Sequence, residues 1–289
     1  MKNLGKRFWI NLIVIVVVGV FSGYFVGNFY VAKYMGGVKA DLLPTEENLR
    51  DNVTDTIRKT KNKQVSQIGG TDCMVIAEYK LSQKDYVKRS TNGSVKAAGV
   101  TQKLVSTKAL VNGEYYSEEL SDGVVKLATK YYYTKDAASV SVYKGKIGAG
   151  LKGDYTSAEH YDQSIDDFNA ANGVKPTYFI NYIISSNTVV EEKYNGINKE
   201  TGHHSFTLIL NPSYAAKNYM YKVKQTSGSS EYPEFTDITV TFEIDDDFTL
   251  YKMTCKETYR VAIAVLGKVV TTGDIVDEFS YDNTFVIPR

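Results

Sequence analysis

The stretch Ile238-Thr-Val-Thr-Phe-Glu-Ile-Asp-Asp-Asp-Phe-Thr-Leu-Tyr-Lys-Met-Thr-Cys255 decides the fold. Ile238, Val240, Phe242 and Ile244 alternate strictly with polar residues, the period of a strand with one buried face. Asp245-Asp246-Asp247 interrupts the run with turn-forming residues. Beyond it Tyr251, Met253 and Cys255 alternate against Leu250, Lys252 and Thr254. Two alternating runs across a short polar break predict an antiparallel hairpin.

Downstream, the alternation predicts a long strand to about Leu266, a turn near Gly267 and two further strands ending at Ile287. Upstream, Thr188–Tyr194 and Ser205–Leu210 read as a second strand pair. Pro212 suits the first position of a helix over 213–224. Asn112-Gly113, between strand-like runs, predicts a two-residue hairpin turn, because both positions of such a turn need positive φ. The run Cys73, Val75, Ala77, Tyr79 and Leu81 reads as an early strand, and Val124–Tyr133 and Val140–Tyr143 as later ones. The 23 tyrosines suit strands with a half-wet face, where the ring packs and the hydroxyl reaches water.

Helical periods are fewer. Thr45 is a candidate N-cap with Glu46 and Glu47 in the first turn, and Leu49, Val53 and Ile57 form an apolar stripe, which predicts a helix over 45–62. Thr156 followed by Glu159 has capping-box spacing, and Tyr161, Ile165 and Phe168 continue it to a stop at Gly173 and Pro176. Thr177–Ser185 is apolar on nearly all sides, so its period is compatible with a buried helix or a strand. The Gly-rich run 144–154 reads as a loop. It lacks the Gly-Lys-Ser/Thr ending of a phosphate-binding loop. About ten antiparallel strands and three short helices describe an α+β domain over 45–289.

The amino-terminal end reads differently. Phe8–Ala32 is 25 residues without a charge, long enough for a helix to cross a bilayer. A cleaved signal peptide has a shorter apolar region, so the span reads as an uncleaved anchor. Lys2, Lys6 and Arg7 precede it, which favours a cytoplasmic tip (1–7), a single-pass plasma-membrane helix (8–32), a linker (33–44) and an extracellular carboxy-terminal domain. Gly19, Gly23 and Gly27 share one face of the span, as in helices that pair closely; this predicts helix-mediated self-association, against the plain frequency of glycine in membrane helices.

The formal net charge of +1 splits along the same line. Four cations and no acid precede residue 34. The remaining 30 cations and 33 anions leave the outer domain at −3, so nucleic acid is not an expected partner. No serine elbow, paired-base cysteine or zinc spacing is present. His203 and His204 are adjacent, which in a strand sends them to opposite faces. No enzyme activity, cofactor or metal site is expected. Cys73 and Cys255 both fall in inward-facing phases, so the sequence is compatible with a bridge between them in an oxidising compartment or with two buried thiols.

The order of elements, the hairpin FEIDDDFTLYKM (242–253) and the closing FSYDNTFVIP (279–288) resemble the LolA/LppX-like superfamily of extracytoplasmic lipid and lipoprotein carriers. The resemblance implies a curved, half-barrel-like antiparallel sheet with a few short helices packed on it, whose concave face takes acyl chains of a lipid or lipoprotein. It implies cavity-facing roles for Ile238, Val240, Phe242, Tyr251, Met253 and Tyr259 on the sheet, and for Ile165, Phe168, Phe179 and Ile183 on lid helices. Without the resemblance, the same residues read as a filled core with no cavity, and the chain as a structural or interaction protein of the envelope. A membrane anchor would make it a tethered binding module rather than a shuttle.

Overall fold

The predicted hairpin between β-strands 234–244 and 250–263 forms, with β-bulges between Leu250 and Lys252 and between Thr258 and Tyr259 that the alternation does not show. A computed structural model describes residues 43–123, 126–229, 231–263 and 267–289. The predicted span 8–32, its three glycines and most of the linker lie outside the described residues. Among the described residues no helix is long and apolar enough to cross a membrane.

In chain order the domain begins with α1 (Glu46–Leu49), α2 (Val53–Thr60), a 3₁₀ turn (Val65–Gln67) and α3 (Gly70–Ser82). Strands β1 (Tyr86–Ala97), β2 (Val100–Val111), β3 (Glu114–Asp122), β4 (Leu127–Thr134), β5 (Ser139–Gly148) and β6 (Lys152–Ser164) follow as a meander. Then come α4 (Ile165–Asn172), β7 (Val189–Ile197), β8 (His204–Leu210), α5 (Pro212–Ala215), α6 (Lys217–Ser227), β9 (Glu234–Ile244), β10 (Leu250–Ile263) and β11 (Gly267–Ser280).

The 11 strands make one sheet in the order β6-β5-β4-β3-β2-β1-β11-β10-β9-β8-β7, and every pair is antiparallel. Two meanders therefore meet at the centre, where the first strand pairs with the last: Arg89 opposes Phe279 and Thr91 opposes Asp277. The α+β class holds. The helices pack on one face. Met74 and Ala77 of α3, Ala215 of α5 and Met220 of α6 share a core with Phe206, Leu208, Ile238, Val240, Phe242 and Met253. A smaller cluster of Val140, Val142 and Phe168 lies toward the β6 edge.

Several local expectations are met. Thr45 caps α1 by accepting from the Asn48 amide. Asn112 and Gly113 both have positive φ, 50° and 86°, in the β2–β3 turn. Pro212 sits in the first turn of α5, capped by Asn211. Gly173 ends α4 in the left-handed conformation.

Other expectations are corrected. The run Cys73–Leu81 is not a strand but α3. Met74 and Ile76 between the alternating positions are also buried, and a helix apolar on most sides has no stripe to betray its period. The helix over 45–62 is two helices. Asn52 caps the second by accepting from the Thr54 and Asp55 amides, and the break turns Thr56 and Thr60 inward while Ile57 is exposed. Thr156 caps nothing ahead of it. Its amide and hydroxyl turn back to Asp154, and residues 152–164 pair with β5 as a strand. Ser164 caps α4 instead, accepting from the Asp167 amide at 3.1 Å. The Gly-rich run is mostly the β5–β6 hairpin, turning at Gly150 and Leu151 with positive φ. The helix over 213–224 is split at Ala216 into α5 and α6. The carboxy-terminal pair of strands is a single strand, β11, followed by an irregular end.

Thr177–Ser185 is neither helix nor strand. Phe179, Ile180, Tyr182, Ile183, Ile184 and Ser185 are buried while two of the segment's carbonyls are held by side chains of the sheet, a solution that no period reveals. The central strand β1 was not legible at all, because its inward positions include the charged Arg89.

Candidate functional site

An opening lies where α3 meets the irregular segment 177–184 and the α1–α2 connection. It is a cleft of about 320 Å³ lined by Val53, Val75, Leu81, Phe179, Ile180 and Ile184, with Arg50, Glu78 and Tyr178 among its polar walls. Sites for small apolar ligands have this composition, and their volumes begin at about 300 Å³.

The polar wall is a relay centred on Arg50. Its Nε lies 2.6 Å from Glu46 Oε1 and its Nη1 lies 2.9 Å from Glu78 Oε2, and the guanidinium sits 5.4 Å from the centre of the Tyr178 ring. Glu78 lies on the buried side of α3. Burial raises its carboxyl to about 7, against the opposing pull of Arg50. Its Oε1 has no hydrogen-bond partner among the described residues. Burial also acts on Glu46, but Arg50 and Asn218 outweigh it and hold that carboxyl below its ordinary value. Burial lifts the Tyr178 hydroxyl to about 12. The cleft thus combines an apolar floor with one fixed cation and one carboxyl that titrates near neutrality.

The residues expected to line a cavity on the sheet are placed otherwise. Ile238, Val240, Phe242, Met253 and Tyr259 are buried together with Phe179 in the main core. Ile183 is 1% exposed, and its amide donates to the Ala215 carbonyl at 2.9 Å. Phe168 belongs to the small cluster at the β6 side, with Ile165 half-buried against it. Phe179 and Ile183 are not on a helix. Tyr251 is outside this core. A register shift between Leu250 and Lys252 carries Leu250 into the inward phase, leaving Tyr251 stacked on His203 with ring centres 4.1 Å apart. Of the expected cavity residues, Phe179 alone reaches the cleft.

Cys73 and Cys255 are both buried and both free. The Cys255 thiol lies 3.2 Å from the Tyr182 hydroxyl and Cys73 Sγ lies 3.9 Å from the Ile68 carbonyl, so each is held in its own surroundings and no bridge joins them. Among the described residues no three His, Cys, Asp or Glu side chains converge as a metal would require. His204 bonds Asp246 and Tyr194, each at 2.9 Å.

One buried carboxyl was legible and missed. Glu257 falls in the same phase as Cys255 and Tyr259, so strict alternation already aims it inward. It accepts from the Tyr182 hydroxyl, and burial lifts it to about 7. Arg50 carried a weaker sign, four residues after Glu46 on a predicted helix. Glu78 carries none, because the alternation of Cys73, Val75, Ala77, Tyr79 and Leu81 puts position 78 in the outward phase, whereas the segment is the helix α3.

No protein-family model and no curated protein sequence matches the chain. Among solved structures it is similar to the lipoprotein LppX of Mycobacterium tuberculosis, at 13% identity and a TM-score of 0.36, covering 73% of this chain and 96% of that one. It is also similar to LprF from Mycobacterium bovis, at 9% identity and a TM-score of 0.37, covering 76% of this chain and 95% of that one. A DUF1329 family protein from Desulfovibrio piger shows 11% identity and a TM-score of 0.28, covering 75% of this chain and 93% of that one.

Proposed function

We propose that the chain is a membrane-anchored extracytoplasmic binding module that holds an acyl chain of a lipid or lipoprotein in the cleft beside α3. The observation that carries this reading is the cleft itself: about 320 Å³, apolar on one side, with Arg50 and Glu78 on the other. Each methylene moved from water into such a cleft contributes about 0.8 kcal/mol. The charged wall suits the polar end of an amphiphile. The anchor rests on the 25 uncharged residues Phe8–Ala32 behind Lys2, Lys6 and Arg7. Gly19, Gly23 and Gly27 on one face of that span support self-association within the membrane.

The test is uptake of a fluorescent fatty acid by the full chain in a neutral detergent. Val53 is half-buried at the cleft, so Val53→Arg places a charge in the path of the ligand at little cost to the fold. Uptake that saturates and falls at least tenfold in Val53→Arg supports the reading. Absence of uptake, or uptake indifferent to the substitution, overturns it.

The packing of Ile238, Val240, Phe242 and Met253 into one core favours a second reading. A sheet face filled by side chains supports an envelope protein that works through its anchor and outer surface. The same uptake experiment separates the two.

A further inference from the structure

A second, smaller cavity lies between Val174 and Asn181 and the sheet residues Arg89, Lys108, Glu119 and Tyr131. It measures about 20 Å³, the space of one water-sized group, and its walls include Arg89, Lys108, Lys222, Glu119, Asn172 and Asn181. Three of those side chains are cations and one is an anion. Arg89 and Lys108 face each other across β1 and β2, and the row continues through Ser117 on β3. Both are deeply buried, at 5% and 4% exposed.

Their partners leave charge uncompensated. Arg89 donates to the Phe179 carbonyl, and its Nε lies 3.7 Å from Asp277 Oδ1, a carboxylate that also takes the Thr91 hydroxyl at 2.5 Å. Lys108 donates to the Tyr178 carbonyl and lies over the Phe179 and Tyr131 rings at 5.6 and 5.7 Å. Among the described residues no carboxylate forms an ion pair with Lys108. Glu119, the carboxylate at the cavity, is taken by Lys222. Burial, with Arg89 and Lys222 close by, pushes the Lys108 ammonium well below its ordinary value against the weaker pull of Glu119, because a buried cation without a paired anion is costly. Lys222 and Glu119 remain 20% and 33% exposed, so the cavity opens to solvent on their side.

We propose that this cavity is an oxyanion site, in which one oxygen of a phosphate or carboxylate group sits between Arg89, Lys108 and Lys222. The cavity admits a single oxygen, and the rest of the group stays at the mouth beside Lys222 and Asn172. Glu119 keeps Lys222 at the mouth, and the segment 174–181 forms the roof. The ligand is either a free anion or the head of an amphiphile. The site stands on its own geometry and does not depend on acyl binding in the larger cleft.

The experiment is thermal unfolding of the full chain in neutral maltoside micelles, with inorganic phosphate compared with chloride at matched ionic strength. A saturable rise in Tm with phosphate is expected. Lys108→Met should abolish it, and Lys222→Gln, at a partly exposed position, should weaken it at least fivefold. Should Lys108→Met not fold, Lys222→Gln decides. Octyl phosphate identifies the source: at least tenfold tighter binding than phosphate, with octanol inert, assigns the site to an amphiphile head, and equal affinities assign it to a free anion. Val53→Arg should keep the phosphate response even if acyl binding is lost. No response to either phosphate ligand, or a response unchanged in the folded variants, overturns the proposal.

Discussion

The backbone amide and the Oγ1 hydroxyl of Thr71 both donate to one oxygen of Glu192, at 2.8 and 2.6 Å, across 121 residues of sequence. This contact ties the first turn of α3 to β7, a strand at the edge of the sheet. It meets an unsatisfied amide of the helix start with a carboxylate, which the helix dipole also favours. Glu192→Ala should therefore destabilise the domain by about 1–2 kcal/mol, and Glu192→Gln by less. Urea unfolding measures both. Equal effects from the two substitutions would mean that charge is immaterial there.

Glu257 predicts a dependence on pH. Its carboxyl titrates at about 7 in the folded domain, raised by burial, against about 4.5 as an ordinary glutamate. The folded state holds the proton more tightly than the unfolded chain. Its contribution is complete below about pH 4.5, declines as pH rises and is lost by about pH 7. The full effect is on the order of 3 kcal/mol. Glu257→Gln keeps an acceptor for Tyr182 and removes the charge, so it should flatten this part of the stability profile and stabilise the protein at pH 8. A profile of unchanged slope between pH 4.5 and 7 would show that Glu257 is not its source.

Gly173 and Gly113 make a matched pair. Both have positive φ, 69° and 86°. A Cβ at Gly113 meets nothing within 4 Å, whereas one at Gly173 would come within 2.0 Å of the Asn218 carbonyl on α6. Gly113→Ala should cost about 1–2 kcal/mol from backbone strain alone. Gly173→Ala should cost clearly more, because α4 and α6 must also separate. Denaturation midpoints of the two variants give the comparison.

The thiols offer a count. Cys73 and Cys255 are buried, and burial lifts Cys73 to about 12 and Cys255 above its ordinary value. The thiolate is the reactive form, so neither should alkylate in the native protein at pH 8. Without reductant, denaturation should expose two reactive thiols. A denatured chain that takes up no label would contradict the free state.

The hairpin 238–255 was legible because β9 has one dry face and one wet face, so burial writes itself as alternation. The same rule failed at α3 and at 177–185. Both are buried on most sides, and a segment without a wet face has no period to read. Tyr251 shows a subtler limit. Its phase was right for a regular strand, but the bulge beside it exchanged its place with that of Leu250. In the smaller cavity, Arg89 and Lys108 were invisible as a pair, since their adjacency exists only across β1 and β2.

The sequence by itself determined the local features: the alternating hairpin strands, the Asn112-Gly113 turn, the caps at Thr45 and Gly173, and the uncharged stretch 8–32. Each depends on residues a few positions apart, where backbone sterics and one solvent boundary decide. Only the tertiary structure decided that β1 meets β11 at the centre of the sheet, that Ile238, Val240, Phe242, Met253 and Tyr259 pack into one core, and that Arg50, Glu78 and the 177–184 segment line the cleft. Those outcomes depend on which distant surfaces exclude water together. Burial of a charged residue such as Arg89 or Glu257 is set by partners that lie far away along the chain.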